Sequence, residues 1–151
     1  MSDVKTELAA VEAQLEAKRK AREAREQDRQ AADELAARKN ELLLEELLEK
    51  FDGEGDRGVD YQICDVTALN AGYFVVRRGP SALVRAYKAK FRGDKTPSEA
   101  DTHAFVKANL LHPTAEEFNR FADRHEFLAL KLANVICEMH AVGVELKGGK
   151  R

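Results

Sequence analysis

The sequence predicts a mainly α (α+β) protein, with a long N-terminal helix, a small β-hairpin and then a compact bundle of about four helices. Three observations lead to this fold class. Residues 2–51 contain neither glycine nor proline and are rich in the strongest helix formers. Two short runs of β-branched and aromatic residues follow them. The rest of the chain carries apolar residues at helical spacing between capping and breaking residues.

Length and charge limit the classes of function. A chain of 151 residues is long enough for one domain with an extension. Its formal net charge of −2 disfavours a protein whose whole surface binds polyanions. There is no run of 18 apolar residues and no apolar signal segment near the N-terminus. We therefore expect no membrane partner and a cytoplasmic location.

Composition changes divide the chain into four predicted segments. Residues 1–51 form a long helical arm and a candidate coiled coil. A linker rich in Gly and Asp covers residues 52–60, and a globular domain of hairpin and helices covers residues 61–146. Residues 147–151 form a polar tail.

The first part of the arm carries an apolar seam, which we define as Val4, Leu8, Val11 and Leu15. These residues step by four, three and four, the spacing of coiled-coil core positions. The same register then meets basic residues, and we interpret residues 18–30 as a solvent-exposed charged stretch. We expect the seam to contact a partner, whereas the alternative is that the helix folds back on its own domain. A second apolar cluster, expected to pack on the globular part or on a second copy, comprises Leu35, Leu42, Leu43, Leu44, Leu47, Leu48 and Phe51.

The globular part begins with a predicted hairpin. Residues 59–66 read as a strand with Val59, Tyr61 and Ile63 on one face, and residues 73–78 read as a second strand. The turn between them contains Asn70 and Gly72, which tolerate positive φ. A lone hairpin is marginally stable, so we expect it to lie on helices or to pair with another subunit.

Four helices are predicted after the hairpin. The first covers about residues 81–92, with Leu83, Val84, Tyr87 and Phe91 as its apolar stripe. The second opens at a capping box over residues 96–99 and extends to about Leu111. The third is short and opens at a capping box over residues 114–117, and a bend follows at residues 122–126. The last helix covers about residues 126–142 and is capped by Gly143.

No motif for catalysis, cofactor binding or metal binding is recognised. Two cysteines are too few for a disulfide scaffold or a four-cysteine zinc site. Cys137 and His140 lie three residues apart, but no second pair of metal ligands accompanies them. We interpret Cys137 as a small buried hydrophobic residue and His140 as a surface residue. We therefore predict no catalytic residue, no cofactor and no metal, and a protein that is not an enzyme.

A basic segment lies between the hairpin and the second predicted helix. It holds six cations within sixteen residues and no acid, with Tyr87 and Phe91 interleaved. Basic and aromatic residues together are typical of single-stranded nucleic-acid grooves. Both aromatic residues also belong to the apolar stripe, so we expect them in the core, and an acidic partner is an alternative for the cations. The basic segment, a hypothetical nucleic-acid surface, comprises Arg77, Arg78, Arg85, Lys88, Lys90 and Arg92.

Three short patterns follow one another over about residues 60–142. The first is the end of a strand leading into a helix, carried by Val75, Val76, Arg77, Arg78 and Pro80. The second opens a short helix and is carried by His112, Pro113, Thr114, Glu116, Glu117 and Phe118. The third lies in an apolar final helix and is carried by Leu130, Leu132, Asn134, Ile136 and Glu138. This order resembles small phage-encoded proteins of the tail-assembly-chaperone type.

The resemblance implies a non-enzymatic protein that engages other phage tail or virion proteins and needs no cofactor. It also implies a location in the host cytoplasm, or within a virion. We expect protein–protein contacts as the function, with homo-oligomerisation through the N-terminal helix as one form of them. The alternative is a nucleic-acid-associated protein that uses the basic segment.

Overall fold

The structure, a computed structural model, describes residues 2–148 of the chain and the side chains of residues 3–141. The chain divides into two compact units, Met1–Leu42 and Leu43–Arg151, and each is described by itself. Helices dominate, and a small antiparallel sheet and four further helices follow the long N-terminal helix. The predicted fold class is thereby confirmed.

The N-terminal helix α1 covers Ser2–Phe51 without a break. The absence of glycine and proline explains this continuity, since those residues are the least favourable in a helix interior. A single 3₁₀ turn, Asp52–Glu54, follows the helix, and Gly55 then adopts a φ of 122°. That value lies in a region which residues with a Cβ rarely occupy, so the glycine-containing segment ends the helix where the sequence predicts.

The predicted hairpin is formed by β1, Tyr61–Asp65, and β2, Tyr73–Arg77. The strands pair antiparallel, with Tyr61 opposite Arg77 and Asp65 opposite Tyr73. In the turn between them Asn70 has a φ of 57° and Gly72 a φ of 72°. The positive φ expected of both residue types in this turn is confirmed.

A third strand, β3 at Leu110–His112, pairs antiparallel with β2 and corrects two predictions. The sheet has the order β1–β2–β3 and is not a two-stranded hairpin. The helix predicted to reach about Leu111 ends at Ala108. The backbone N–H of Arg77 donates to the carbonyl of Asn109 at 2.8 Å, so the chain leaves the helix to complete the edge of the sheet.

The central strand β2 is buried on both faces, and a core lies on each side of it. Phe74 and Val76 point into a core shared with the later helices. Val75 points to the other side, where it packs with the end of α1 and with β1. Burial on both faces explains why Tyr73–Val76 is a continuous apolar run and not an alternating one.

The end of α1 supplies one of these cores. Leu47 and Phe51 are buried against Tyr61, Ile63 and Val75, and the partly buried residues Leu44, Leu48, Tyr73 and Leu111 pack around them. The expectation that the second apolar cluster packs on the globular part is confirmed for these α1 residues. Leu35 and Leu42 are exposed, so the alternative that they pack on a second copy stays a prediction. Val59 is also exposed, so the predicted apolar face of β1 reduces to Tyr61 and Ile63.

Four helices complete the second unit: α2 at Ser81–Lys88, α3 at Glu99–Ala108, α4 at Ala115–Arg124 and α5 at Leu128–Gly148. Helix α2 is shorter than predicted, because the chain turns at residues 89–91 and Gly93 adopts a φ of 59°. The predicted stripe is half correct. Val84 and Tyr87 are buried, whereas Leu83 and Phe91 are exposed.

The helix starts show which side chains cap them. Thr114 accepts a hydrogen bond from the backbone N–H of Glu117 and caps α4 as predicted. Ser98, and not Thr96, caps α3, because its hydroxyl accepts from the backbone N–H of Asp101 at 3.1 Å. The predicted start of α3 was therefore two residues too early.

Helix α5 differs from its prediction at both ends. It begins at Leu128, since α4 continues to Arg124 and uses part of the predicted bend. It continues through Gly143 to Gly148, so Gly143 is not its cap. Residues 147 and 148 of the predicted polar tail are helical, and residues 149–151 lie outside the described part of the chain.

Candidate functional site

The four residues of the apolar seam are exposed side chains on α1. Their exposed fractions are 68% for Val4, 57% for Leu8, 50% for Val11 and 59% for Leu15. The helix is regular through this region, so the heptad spacing places all four on one face. Apolar side chains arranged in this way are suited to pack against the apolar face of another helix.

The charged stretch that follows the seam makes ion pairs along its own helix. Arg19 pairs with Glu16, one turn earlier, and lies 4.0 Å from Glu23, one turn later. Arg29 pairs with Glu26 in the same way. Such pairs at a spacing of three or four residues are typical of an exposed helix surface and contribute only tenths of a kcal/mol each. They fit the interpretation of residues 18–30 as solvent-exposed.

The basic segment is spread over one strand end, one helix and one turn, and contacts with other described residues engage the side chains of Arg77 and Lys90. The Arg77 guanidinium donates to the carbonyl of Ala108 at 3.0 Å. The Lys90 ammonium lies 2.9 Å from a carboxylate oxygen of Asp101. The hydrogen bond from Lys90, followed by that from Ser98, lowers the pKa of Asp101. These two cations are therefore engaged within the protein.

The aromatic residues of the basic segment have different environments. Tyr87 is buried and stacks on Phe105, with ring centroids 4.2 Å apart and planes 6° apart. Its hydroxyl lies 3.1 Å from that of Thr102. The prediction that Tyr87 is a core residue is confirmed. The same prediction is wrong for Phe91, which is 48% exposed and packs edge-to-face with Tyr87, with ring centroids 5.6 Å apart.

His140 is a structural residue and not the surface residue that the sequence predicted. Its ring is half-buried, and Nε2 donates to the carbonyl of Arg78 at 2.6 Å. This contact ties α5 to the chain just after β2. In the part of the chain that the structure describes, no group of three or more His, Cys, Asp or Glu side chains could hold a metal ion.

Both cysteine thiols are held in the neutral form. Burial raises the pKa of Cys64 from 9.0 to about 11. Burial also raises the pKa of the Cys137 thiol. Because the thiolate is the nucleophile, both sulfurs are weakly reactive at neutral pH. This chemistry agrees with the expectation that neither cysteine acts in catalysis, which itself stays a prediction.

A contact between Gly79 and Asn109 was not predicted. Asn109 is fully buried, and its side-chain amide donates to the carbonyl of Phe105 at 2.9 Å. Its Oδ1 lies against Gly79, where a Cβ would come within 2.0 Å of it. Gly79 also has a φ of 71°. The only signal in the sequence was a glycine between the strand and Pro80, which does not identify the partner.

An exposed aromatic side chain, Phe127, lies between two shallow grooves of the second unit. The larger groove has a volume of about 530 Å³ and includes Leu69 and Val135. The smaller has about 340 Å³ and includes Phe91 and Leu130. Phe127 is 63% exposed and lies just before α5, within the range of about 126–142 that the sequence predicts for the last helix.

Among the described residues, no helix is long and apolar enough to cross a membrane. No protein-family model, curated protein or solved structure matches the chain.

Proposed function

We propose that this protein is a non-enzymatic interaction protein and that the apolar seam is its contact surface. The exposure of Val4, Leu8, Val11 and Leu15 on one face of a continuous helix is the observation that carries the proposal. Contiguous exposed apolar surface on a helix is a common mark of a protein-binding site. An amphipathic helix binds a groove or another helix through residues at this spacing.

The proposed biological role is phage-type tail assembly or virion structure, with other tail or virion proteins as partners. This part of the proposal rests on the resemblance to tail-assembly-chaperone proteins over about residues 60–142. It places the protein in the host cytoplasm, or within a virion. Protein contacts of this kind require no cofactor.

The seam by itself supports a binding contact of modest strength. Complete burial of a Val or Leu side chain contributes about 1.5–3 kcal/mol. The four seam residues are 50–68% exposed, so their burial would contribute about 3.5–7 kcal/mol. Association costs about 4–15 kcal/mol in lost freedom of motion. The partner must therefore add apolar surface or matching charges of its own.

The direct test is a pull-down of tail and virion proteins with the tagged full chain from an infected lysate of its native host. Bound material is washed at high salt and identified by mass spectrometry. We expect recovery of tail or virion proteins in stoichiometric amounts, because apolar contacts persist at high ionic strength. If no tail or virion protein is recovered, the proposed role is wrong.

The same pull-down tests the alternative function. Nucleic-acid binding by the basic segment weakens steeply as salt rises, because counterions are released on binding. If nucleic acid binds at low salt and is lost in the high-salt wash, and no virion protein is recovered, the result would contradict the proposal and favour the basic segment as the binding surface.

A further inference from the structure

We propose that the occupant of the apolar seam is a second copy of this chain, paired antiparallel over residues 4–15. The inference rests on the proposed function and deepens it for the same surface: the chain pairs with itself through the seam, and tail or virion proteins bind the paired form. It is carried by the exposure of the seam and by the charges beside it.

The seam is complementary to itself when reversed. In an antiparallel pair of helices each core position a faces a position d of the partner. Val4 and Val11 occupy d positions, and Leu8 and Leu15 occupy a positions. Antiparallel pairing therefore places Val4 against Leu15 of the second copy and Leu8 against Val11 of the second copy. Every layer then combines one Val with one Leu, and all eight side chains are used.

The flanking charges favour the antiparallel arrangement. Antiparallel pairing brings position e of one helix near position e of the other, so that Lys5 meets Glu12 of the second copy, twice by symmetry. At the g positions Glu7 meets the neutral Gln14 of the second copy, so no repulsion arises there. Parallel pairing would instead place Glu7 against Glu12 of the second copy. The charges thus select direction as well as partner.

The basic residues that continue the register favour the same direction. In a parallel pair Lys18, Arg22, Arg25 and Arg29 would each face the same residue of the second copy in the core, giving four like-charged layers. In the antiparallel pair the overlap ends near residue 18, so this stretch diverges from the partner. The exposure of residues 18–30 is then compatible with dimerisation of the seam.

Charge reversal at Glu12 separates the two directions. Glu12→Lys turns both Lys5–Glu12 contacts of the antiparallel dimer into Lys–Lys contacts. The same change turns the Glu7–Glu12 contact of a parallel dimer into an attractive one. Each exposed pair contributes only tenths of a kcal/mol, but two contacts change from attractive to repulsive. We therefore expect Glu12→Lys to raise the dissociation constant of the dimer about tenfold. Lys5→Glu/Glu12→Lys restores opposite charges and returns the constant to near the wild-type value.

The measurement is sedimentation equilibrium of the full chain from micromolar to hundreds of micromolar, with circular dichroism to verify the helix content of each variant. Glu34→Lys is the matched control, since it reverses the same charge on the same helix outside the overlap. We expect its dissociation constant to equal that of the wild type. A monomeric mass throughout, or tighter association of Glu12→Lys, overturns the inference.

This inference and the proposed function fail separately. A chain that dimerises as described but captures no tail or virion protein contradicts only the proposed function. A chain that captures those proteins but stays monomeric contradicts only the self-pairing.

Discussion

Substitution of Gly79 by alanine is the sharpest test of the packing between the sheet and the helices. Gly79 follows β2 with a φ of 71°, and a Cβ built there lies 2.0 Å from Oδ1 of Asn109. Asn109 cannot easily move away, because it is fully buried and its amide is bonded to the carbonyl of Phe105. Two costs therefore add, one from the backbone and one from the clash.

Gly72 separates these two costs. It has a φ of 72°, nearly that of Gly79, but nothing lies within 4 Å of a Cβ built on it. Gly72→Ala should lower the free energy of unfolding by about 1–2 kcal/mol, the cost of left-handed backbone for a residue with a Cβ. Gly79→Ala adds about 1–3 kcal/mol of overpacking, for a total of roughly 2–5 kcal/mol.

The assay is urea unfolding followed by tyrosine fluorescence and near-ultraviolet circular dichroism. The chain has no Trp, and its three tyrosines, Tyr61, Tyr73 and Tyr87, all lie in the unit Leu43–Arg151. The signal therefore reports that unit and not the rest of α1. Gly79→Ala should unfold at a lower urea concentration than Gly72→Ala, because its free energy of unfolding is lower by a further amount of about 1–3 kcal/mol.

A third variant tests the clash itself. Gly79→Ala/Asn109→Ala removes Oδ1 from the path of the new methyl group, so its loss of stability should be smaller than the sum of the two single losses. Equal losses for Gly79→Ala and Gly72→Ala, or additive losses in the double variant, would refute the argued contact.

Three further predictions concern the core, a helix cap and a thiol. Leu47→Ala should lower the free energy of unfolding by about 2–4 kcal/mol, because Leu47 is only 6% exposed in the core beside β1. Leu42→Ala should lower it by about 0.5 kcal/mol or less, because Leu42 is 48% exposed. Similar losses for the two variants in urea unfolding would contradict the burial of Leu47 in that core. Ser98→Ala should lower the free energy of unfolding by about 1 kcal/mol, because the hydrogen bond from the N–H of Asp101 is lost, whereas Thr96→Ala should leave it almost unchanged. A larger loss for Thr96→Ala in urea unfolding would show that α3 is capped by Thr96, as the sequence predicts. At pH 8 iodoacetamide should label Cys137 faster than Cys64. Burial raises the pKa of Cys64 from 9.0 to about 11, so its thiolate fraction is about a hundredfold lower than that of an ordinary thiol. Equal labelling rates in peptide mapping would show that the Cys64 thiol is more ionised than its burial implies.

The sequence correctly predicts the elements that depend on residue propensities and capping within a short segment of the chain. The continuous helix α1 follows from fifty residues without glycine or proline, and its end follows from the glycines after Phe51. The hairpin follows from two runs of β formers around a turn with Asn70 and Gly72. The cap of α4 follows from Thr114, three residues before Glu117.

The errors arise where the local sequence leaves more than one structure open. Leucine also favours a helix, but pairing with β2 places Leu110 and Leu111 in a strand. Thr96 and Ser98 are both competent caps, and the observed bond to Asp101 selects the second. Glycine is a common helix end, but Gly143 lies inside α5, which continues to Gly148.

The candidate site divides in the same way. Heptad spacing alone predicted which four residues form the seam, and the structure adds that their side chains are exposed. The basic segment was recognised from composition, but the pairing of Lys90 with Asp101 depends on a contact between residues eleven positions apart. The bond from His140 to Arg78 spans sixty-two positions, beyond the reach of any spacing argument.

The central claim is that the seam, and not the basic segment, makes the functional contact. The most direct measurement compares virion-protein capture by three tagged variants of the full chain at high salt. Leu8→Lys/Leu15→Lys disrupts the seam, Ala10→Lys/Ala13→Lys adds the same charge away from it on α1, and Arg85→Glu/Lys88→Glu reverses the basic segment. The account predicts that capture is lost only in the first variant. Capture retained by the seam variant, or lost by the basic-segment variant alone, would contradict it.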